Sequence, residues 1–127
     1  MKIKRSVDIE DETRIALQDY LTAYCRPLPA DYMLPNVLVT QVGGSDLNAI
    51  DTFDVVLDAR AETEQEASET LRTAIGVLKA VAAAQTTAIR HVSVNTGGSW
   101  GVDPVRPDLS LCTARLRVVA HLETMEV

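Results

Sequence analysis

From Asp51 to Ala61 apolar and polar residues alternate: Phe53, Val55, Leu57 and Ala59 against Asp54, Val56, Asp58 and Arg60. That period of two predicts a strand whose one face is core and whose other face is mostly charged. Before it, Asn36 to Val42 is an apolar run that predicts another strand, and Gly43-Gly44-Ser45-Asp46 is expected to be a turn or bulge joining the two. After it, Thr63-Glu64-Gln65-Glu66 has the spacing of a capping box, in which the hydroxyl accepts from the third amide and Glu66 reaches back. The period then changes: Ala67, Leu71, Ala74, Ile75, Leu78, Val81 and Ala82 form the stripe of an amphipathic helix. Gly76 interrupts that helix at about 1 kcal/mol relative to Ala, which implies close packing there.

The flanks follow the same logic. Leu17, Tyr20, Leu21 and Tyr24 recur at helical spacing and predict a first helix from Asp8 to Tyr24, its opening turns rich in carboxylates and its end set by Pro27 and Pro29. Ile89 to Asn95 predicts a third strand, and Thr96 to Asp108 a long glycine- and proline-containing loop that carries Trp100. Leu109 to Glu123 predicts a last strand with Cys112, Ala114, Leu116, Val118, Ala120 and Leu122 on one face. The order α-β-β-α-β-β implies an α+β fold: a four-stranded, mostly antiparallel sheet with both helices on one face. A chain of 127 residues fits a single domain, 1–127, with residues 1–7 as a flexible basic arm.

Composition narrows the function. Aromatics make up 4% of residues, so Leu, Val, Ile and Ala must fill the core. No apolar run approaches the roughly 20 residues that span a bilayer. Lys2, Lys4 and Arg5 are followed by no apolar segment, so a cleaved secretory signal is not expected. The net charge is −6, and eight carboxylates (Asp46, Asp51, Asp54, Asp58, Glu62, Glu64, Glu66, Glu69) stand against Arg60 between residues 46 and 69. Such a surface does not hold nucleic acid, which needs clustered Lys or Arg, although DNA can pass it without being bound.

Candidate chemistry is sparse. Cys25, Cys112, His91 and His121 have no metal-ligand spacing, and both cysteines fall on apolar faces where a thiol is packing. Asp54 and Asp58 lie four residues apart on a strand, roughly 13 Å, too far for paired acids without help from their side chains. A solvated or interface face fits them better, with Arg115 and Arg117 of the last strand as complementary charges. Trp100, among Gly97, Gly98 and Gly101, either folds back on the sheet edge or anchors a neighbouring chain. No catalytic residue, metal ligand or cofactor-binding residue is expected.

The pattern as a whole resembles the tail terminator (tail-completion) proteins of bacteriophages with long, non-contractile tails. The residues that carry the resemblance are Leu21-Thr22-Ala23-Tyr24, Leu34 to Gly44, Asp54 to Ala61 and Ala114 to Leu122. It covers most of the chain in size and element order rather than in a short motif. The resemblance implies a homo-oligomeric ring, typically a hexamer, at the head-proximal end of the virion tail, assembled in the host cytoplasm. Such a ring caps the tail tube protein, ends its polymerisation and meets the head-tail connector protein, with DNA passing through its centre. No catalysis, cofactor or membrane is implied. The candidate subunit or tube interface is then Trp100, Asp54, Asp58, Arg115, Arg117, Lys2, Lys4 and Arg5. Two alternatives remain: another phage neck or minor tail protein, and a ferredoxin-like small-molecule-binding domain or enzyme.

Overall fold

The computed structural model describes residues 1–47 and 50–127, with backbone alone at 46 and 47. The chain is α+β: seven strands in two sheets and two helices. In order these are β1 (Lys2–Arg5), α1 (Ile9–Gln18), β2 (Ala23–Cys25), β3 (Asn36–Leu47), β4 (Ile50–Ala61), α2 (Glu64–Ala84), β5 (Ile89–Val102), β6 (Ser110–His121) and β7 (Glu123–Glu126). The main sheet has five strands, ordered β2-β3-β4-β6-β5, rather than the expected four. All neighbours in it are antiparallel except β2 and β3.

The alternation in β4 holds. Phe53, Val55, Leu57 and Ala59 are buried, and their register partners on β6 (Val118, Leu116, Ala114, Cys112) are buried with them. Val37 and Val39 extend this apolar face across β3. Ala67, Leu71, Ala74, Leu78 and Ala82 of α2, at helical spacing, and Ile9 and Leu17 of α1 join the same core cluster. Burying one such Leu or Ile contributes about 1.5–3 kcal/mol relative to leaving it exposed.

The start of α2 is fixed as its sequence implies, with Thr63 Oγ1 accepting from the Glu66 amide at 3.2 Å. Among the described residues the return bond from the Glu66 side chain is not formed. Gly76 departs from expectation: a Cβ there would meet nothing within 4 Å, so the residue relieves no close contact.

Other departures concern boundaries, and each has a local cause. Helix α1 stops at Gln18, where the Tyr20 and Leu21 amides both turn back to the Leu17 carbonyl. Thr22 to Cys25 is taken instead by the edge of β3: Val37 donates to the Thr22 carbonyl at 3.0 Å, and Ala23–Cys25 pairs in parallel with Val37–Val39. Tyr24 therefore leaves the predicted helical stripe, and its hydroxyl accepts from the Met33 amide at 3.1 Å. An aromatic residue favours the strand once a partner edge exists.

Of the two expectations for Gly43-Gly44, turn or bulge, the structure has an irregularity in the strand and no turn. β3 continues through both to Leu47, with a register shift between Gln41 and Gly43. Gly44 has φ 153°, and a Cβ there would lie 2.5 Å from the Thr52 carbonyl oxygen, so glycine is required by a bulge rather than a reversal. Asp46, placed in that predicted turn, has its side chain outside the described residues.

The predicted loop from Thr96 to Asp108 is mostly strand. β6 is long enough to pair with β5 as far as Val102, through irregularities around Thr96 that absorb the extra residues. Gly98 permits this, since a Cβ there would sit 3.1 Å from Cys112 Sγ and 3.7 Å from Leu71 Cδ2. Nor is the N-terminal arm loose. β1 pairs antiparallel with β7, Lys2 opposite Glu126 through Arg5 opposite Glu123, and Val7 and Ile9 follow directly into the core.

Candidate interaction surface

The eight residues singled out from the sequence fall into three places. Asp54, Asp58, Arg115 and Arg117 come together on the sheet face opposite the helices. There Arg117 approaches Asp54 at 3.6 Å across the β4–β6 rung, and Asp58 accepts a 2.6 Å hydrogen bond from the Thr113 hydroxyl. Arg115 is exposed opposite Val56. The Arg117–Asp54 contact is long and its arginine half exposed, so the pair contributes on the order of 0–1 kcal/mol to the fold.

Lys2, Lys4 and Arg5 lie apart from that face, in the β1–β7 pair. Arg5 Nε is bonded to Glu123 at 2.6 Å, Lys4 Nζ to Thr124 at 2.7 Å, and the N-terminal amine to Glu126 at 3.1 Å. Two of the three side chains of the supposed arm are thus engaged within the molecule.

Trp100 lies on β5, 52% exposed, on the helix side of the sheet because its register partner is Cys112. It borders a shallow cleft with Glu64, Gln65, Ser68, Glu69 and Arg72 of α2. One side of the ring rests along the helix margin while much of it remains open to solvent.

What the residue-by-residue reading missed is the edge that carries Trp100. β5 is the last strand of the main sheet, so its outer backbone groups have no strand partner among the described residues. From Val92 to Val102 it carries no ionisable side chain, while Val94, Trp100 and Val102 are exposed. Edge strands are ordinarily blunted by charge, proline or brevity, because unpaired N–H and C=O groups template pairing with another chain. β5 has no proline, and past Arg90 and His91 its remaining eleven residues lack charge as well; only its register irregularities interrupt it. The sequence signal was present: eleven residues without charge beside an acidic helix.

The opposite edge is closed. β2 covers only three residues of β3, and Glu10 covers the next rung, accepting from the Gln41 amide at 3.0 Å and from Arg26 Nη2 at 2.5 Å. Burial alone would raise the Glu10 carboxyl, but the bonds from Arg26 and the Gln41 amide outweigh it and hold the pKa below its usual value.

A second unforeseen device is the buried pair Arg60–Asp103, 2.6 Å apart, at the end of the charged face. Asp103 also accepts from the amides of Val105 and Arg106, at 2.9 and 3.2 Å, and so ties the turn between β5 and β6 to the middle of the sheet. Burial opposes its ionisation, but these donors prevail and its pKa is lowered.

The described residues contain no group of three or more His, Cys, Asp or Glu side chains placed to hold a metal ion. Both thiols are free, and burial pushes their pKa up, so the thiolate is disfavoured. No described helix is long and apolar enough to cross a membrane. No protein-family model and no curated protein matches the chain.

Proposed function

We propose that this protein is an assembly subunit of the tail-terminator type. It forms a homo-oligomeric ring, a hexamer, that caps a phage tail tube, ends its polymerisation and joins it to the head connector. The observation that carries the reading is the uncharged, unpartnered edge of β5 with Val94, Trp100 and Val102 exposed along it. The opposite edge is plugged by β2 and Glu10, so the two sides of the molecule are unlike. A subunit with one sticky edge that meets a different surface on its neighbour makes heterologous contacts, the kind from which rings are built when the rotation between neighbours closes.

The rest of the surface fits the same purpose. The face bearing Asp54, Asp58, Arg115 and Arg117 is neutralised within itself, and the chain as a whole is acidic. Walls of that kind let a DNA duplex slide without holding it. The protein acts by contact rather than catalysis, in the virion tail and, before that, in the host cytoplasm.

The test is negative-stain electron microscopy and sedimentation of the purified chain, alone and mixed with the tube protein of the same phage genome. The expected result is six-fold rings with a central channel, or monomers that assemble on and cap tube ends. A stable two-fold dimer through β5 that ignores tubes would overturn the reading.

A further inference from the structure

Asp51 is the anomaly of the core face. It stands two residues before Phe53 in β4, on the same side, and is only 3% exposed. Neither carboxylate oxygen has a hydrogen-bond partner, and no Lys, Arg or His lies within ion-pair distance among the described residues. A charge removed from water this far costs several kcal/mol unless something of opposite sign compensates it. A water molecule can satisfy the hydrogen bonds of such a group but not its charge.

The surroundings specify the compensation. Asp51 borders a cleft of about 320 Å³, lined also by Ser6, Gln41, Gly44, Ser45, Thr52 and Phe53. Ser6, Gln41, Ser45 and Thr52 carry hydroxyl or amide oxygens, and Gly44 and Phe53 have only their backbone carbonyls to offer. The strand just past the β3 irregularity shapes one wall: the backbone approaches Thr52 so closely at Gly44 that no side chain fits. The other wall is Ser6, held by the β1–β7 pair on one side and Val7 on the other. No sulfur or imidazole contributes.

From this geometry we infer that Asp51 and the cleft beside it bind a hard, oxygen-preferring cation of calcium's size. Oxygen-only donor sets with irregular geometry suit calcium, which accepts carbonyl, hydroxyl and water ligands at 2.3–2.6 Å, better than magnesium, which demands a near-ideal octahedron. With few carboxylates the affinity falls in the weak class, Kd about 10⁻⁴–10⁻³ M. The cation joins three elements, the β3 bulge, the start of β4 and the segment after β1, and so fixes the N-terminal clasp to the main sheet. The inference does not depend on ring formation.

The experiment is calcium titration of the intact chain, followed by calorimetry and by thermal unfolding at constant ionic strength. Wild type is expected to bind about one calcium per chain and to gain roughly 4 °C in Tm at ~10 mM calcium. Asp51→Asn is expected to lose the calcium-dependent shift while remaining folded in chelator, since it removes an uncompensated charge. Should that variant fail to fold, amide chemical-shift mapping on wild type decides. Shifts centred on Ser6, Gln41–Ser45 and Asp51–Phe53 support the site; shifts confined to the acidic start of α2 overturn it. Absence of binding up to 10 mM, an equal response to magnesium, or an unchanged response in Asp51→Asn also overturns it.

Discussion

The two edges of the main sheet solve the same problem in opposite ways. On the β3 side, exposed backbone is covered by a three-residue strand, a buffered carboxylate and a bulge that bends the strand away. On the β5 side, the outer edge has no strand partner among the described residues, and from Val92 to Val102 the charged side chains that would repel another chain are missing. The first edge spends a glutamate and an arginine on closure. The second omits protections that a solitary domain usually keeps. The difference teaches that exposure at β5 is selective, since the same chain has the means to cover an edge and uses them elsewhere.

The comparison is broken most severely by charging the open edge. Gly97 and Gly101 have open space where a Cβ would stand, so Gly97→Lys with Gly101→Lys adds repulsion without a clash. Assembly, measured by sedimentation or tube capping, is expected to drop at least tenfold, while denaturant unfolding shifts by about 1 kcal/mol or less. Trp100→Ala should weaken the same assembly by about 2 kcal/mol, as hot-spot aromatics do, with little change in monomer stability because the ring is half exposed. Unchanged assembly in both variants would show that β5 is not the contact.

Opening the closed edge tests the other side. Glu10→Gln removes the charge from two hydrogen bonds and is expected to cost about 1–2 kcal/mol, read by urea denaturation. Acid should do the same reversibly. The Glu10 pKa is lowered in the fold, so its contribution is fully present above the unfolded value near 4.5 and is lost as pH falls through the lower folded value. Hydrogen exchange at the Gln41 amide, corrected for intrinsic rate, is expected to accelerate over that window. The smallest effect belongs to the charged face: Arg117→Ala should change stability by no more than about 0.5 kcal/mol, because its contact with Asp54 is long, at 3.6 Å, and the arginine is half exposed.

Legibility tracked the range of the interactions. The alternation of β4 and the stripe of α2 are local patterns, and both appear where the periodicity places them. Tyr24 misled because helical spacing and strand capture compete, and the winner depended on an edge contributed by Val37–Val39. Thr96 to Val102 reads as loop by composition, yet becomes strand because β6 supplies a long partner and Gly98 allows close approach to Cys112. Alternation placed Asp54, Asp58, Arg115 and Arg117 on one face, but which of them pair, and that Arg117 meets Asp54 within the chain, came only from the β4–β6 register. Lys4 and Arg5 were not legible as paired, since their partners lie about 120 residues away in the sequence. Arg60 and Asp103 are invisible as a pair for the same reason.

The β1–β7 clasp also has a mechanical side. Met1 and Val127 exchange backbone hydrogen bonds of 2.8 and 2.9 Å, so both chain ends leave the molecule at one point. Tension applied between them would load the rungs of that ribbon one after another, as in unzipping, rather than all together in shear. The ribbon would part at low force while the five-stranded sheet behind it stayed intact. Fusions at either end would emerge from the same corner, and a short peptide joining the ends would turn this weakest seam into a continuous hairpin.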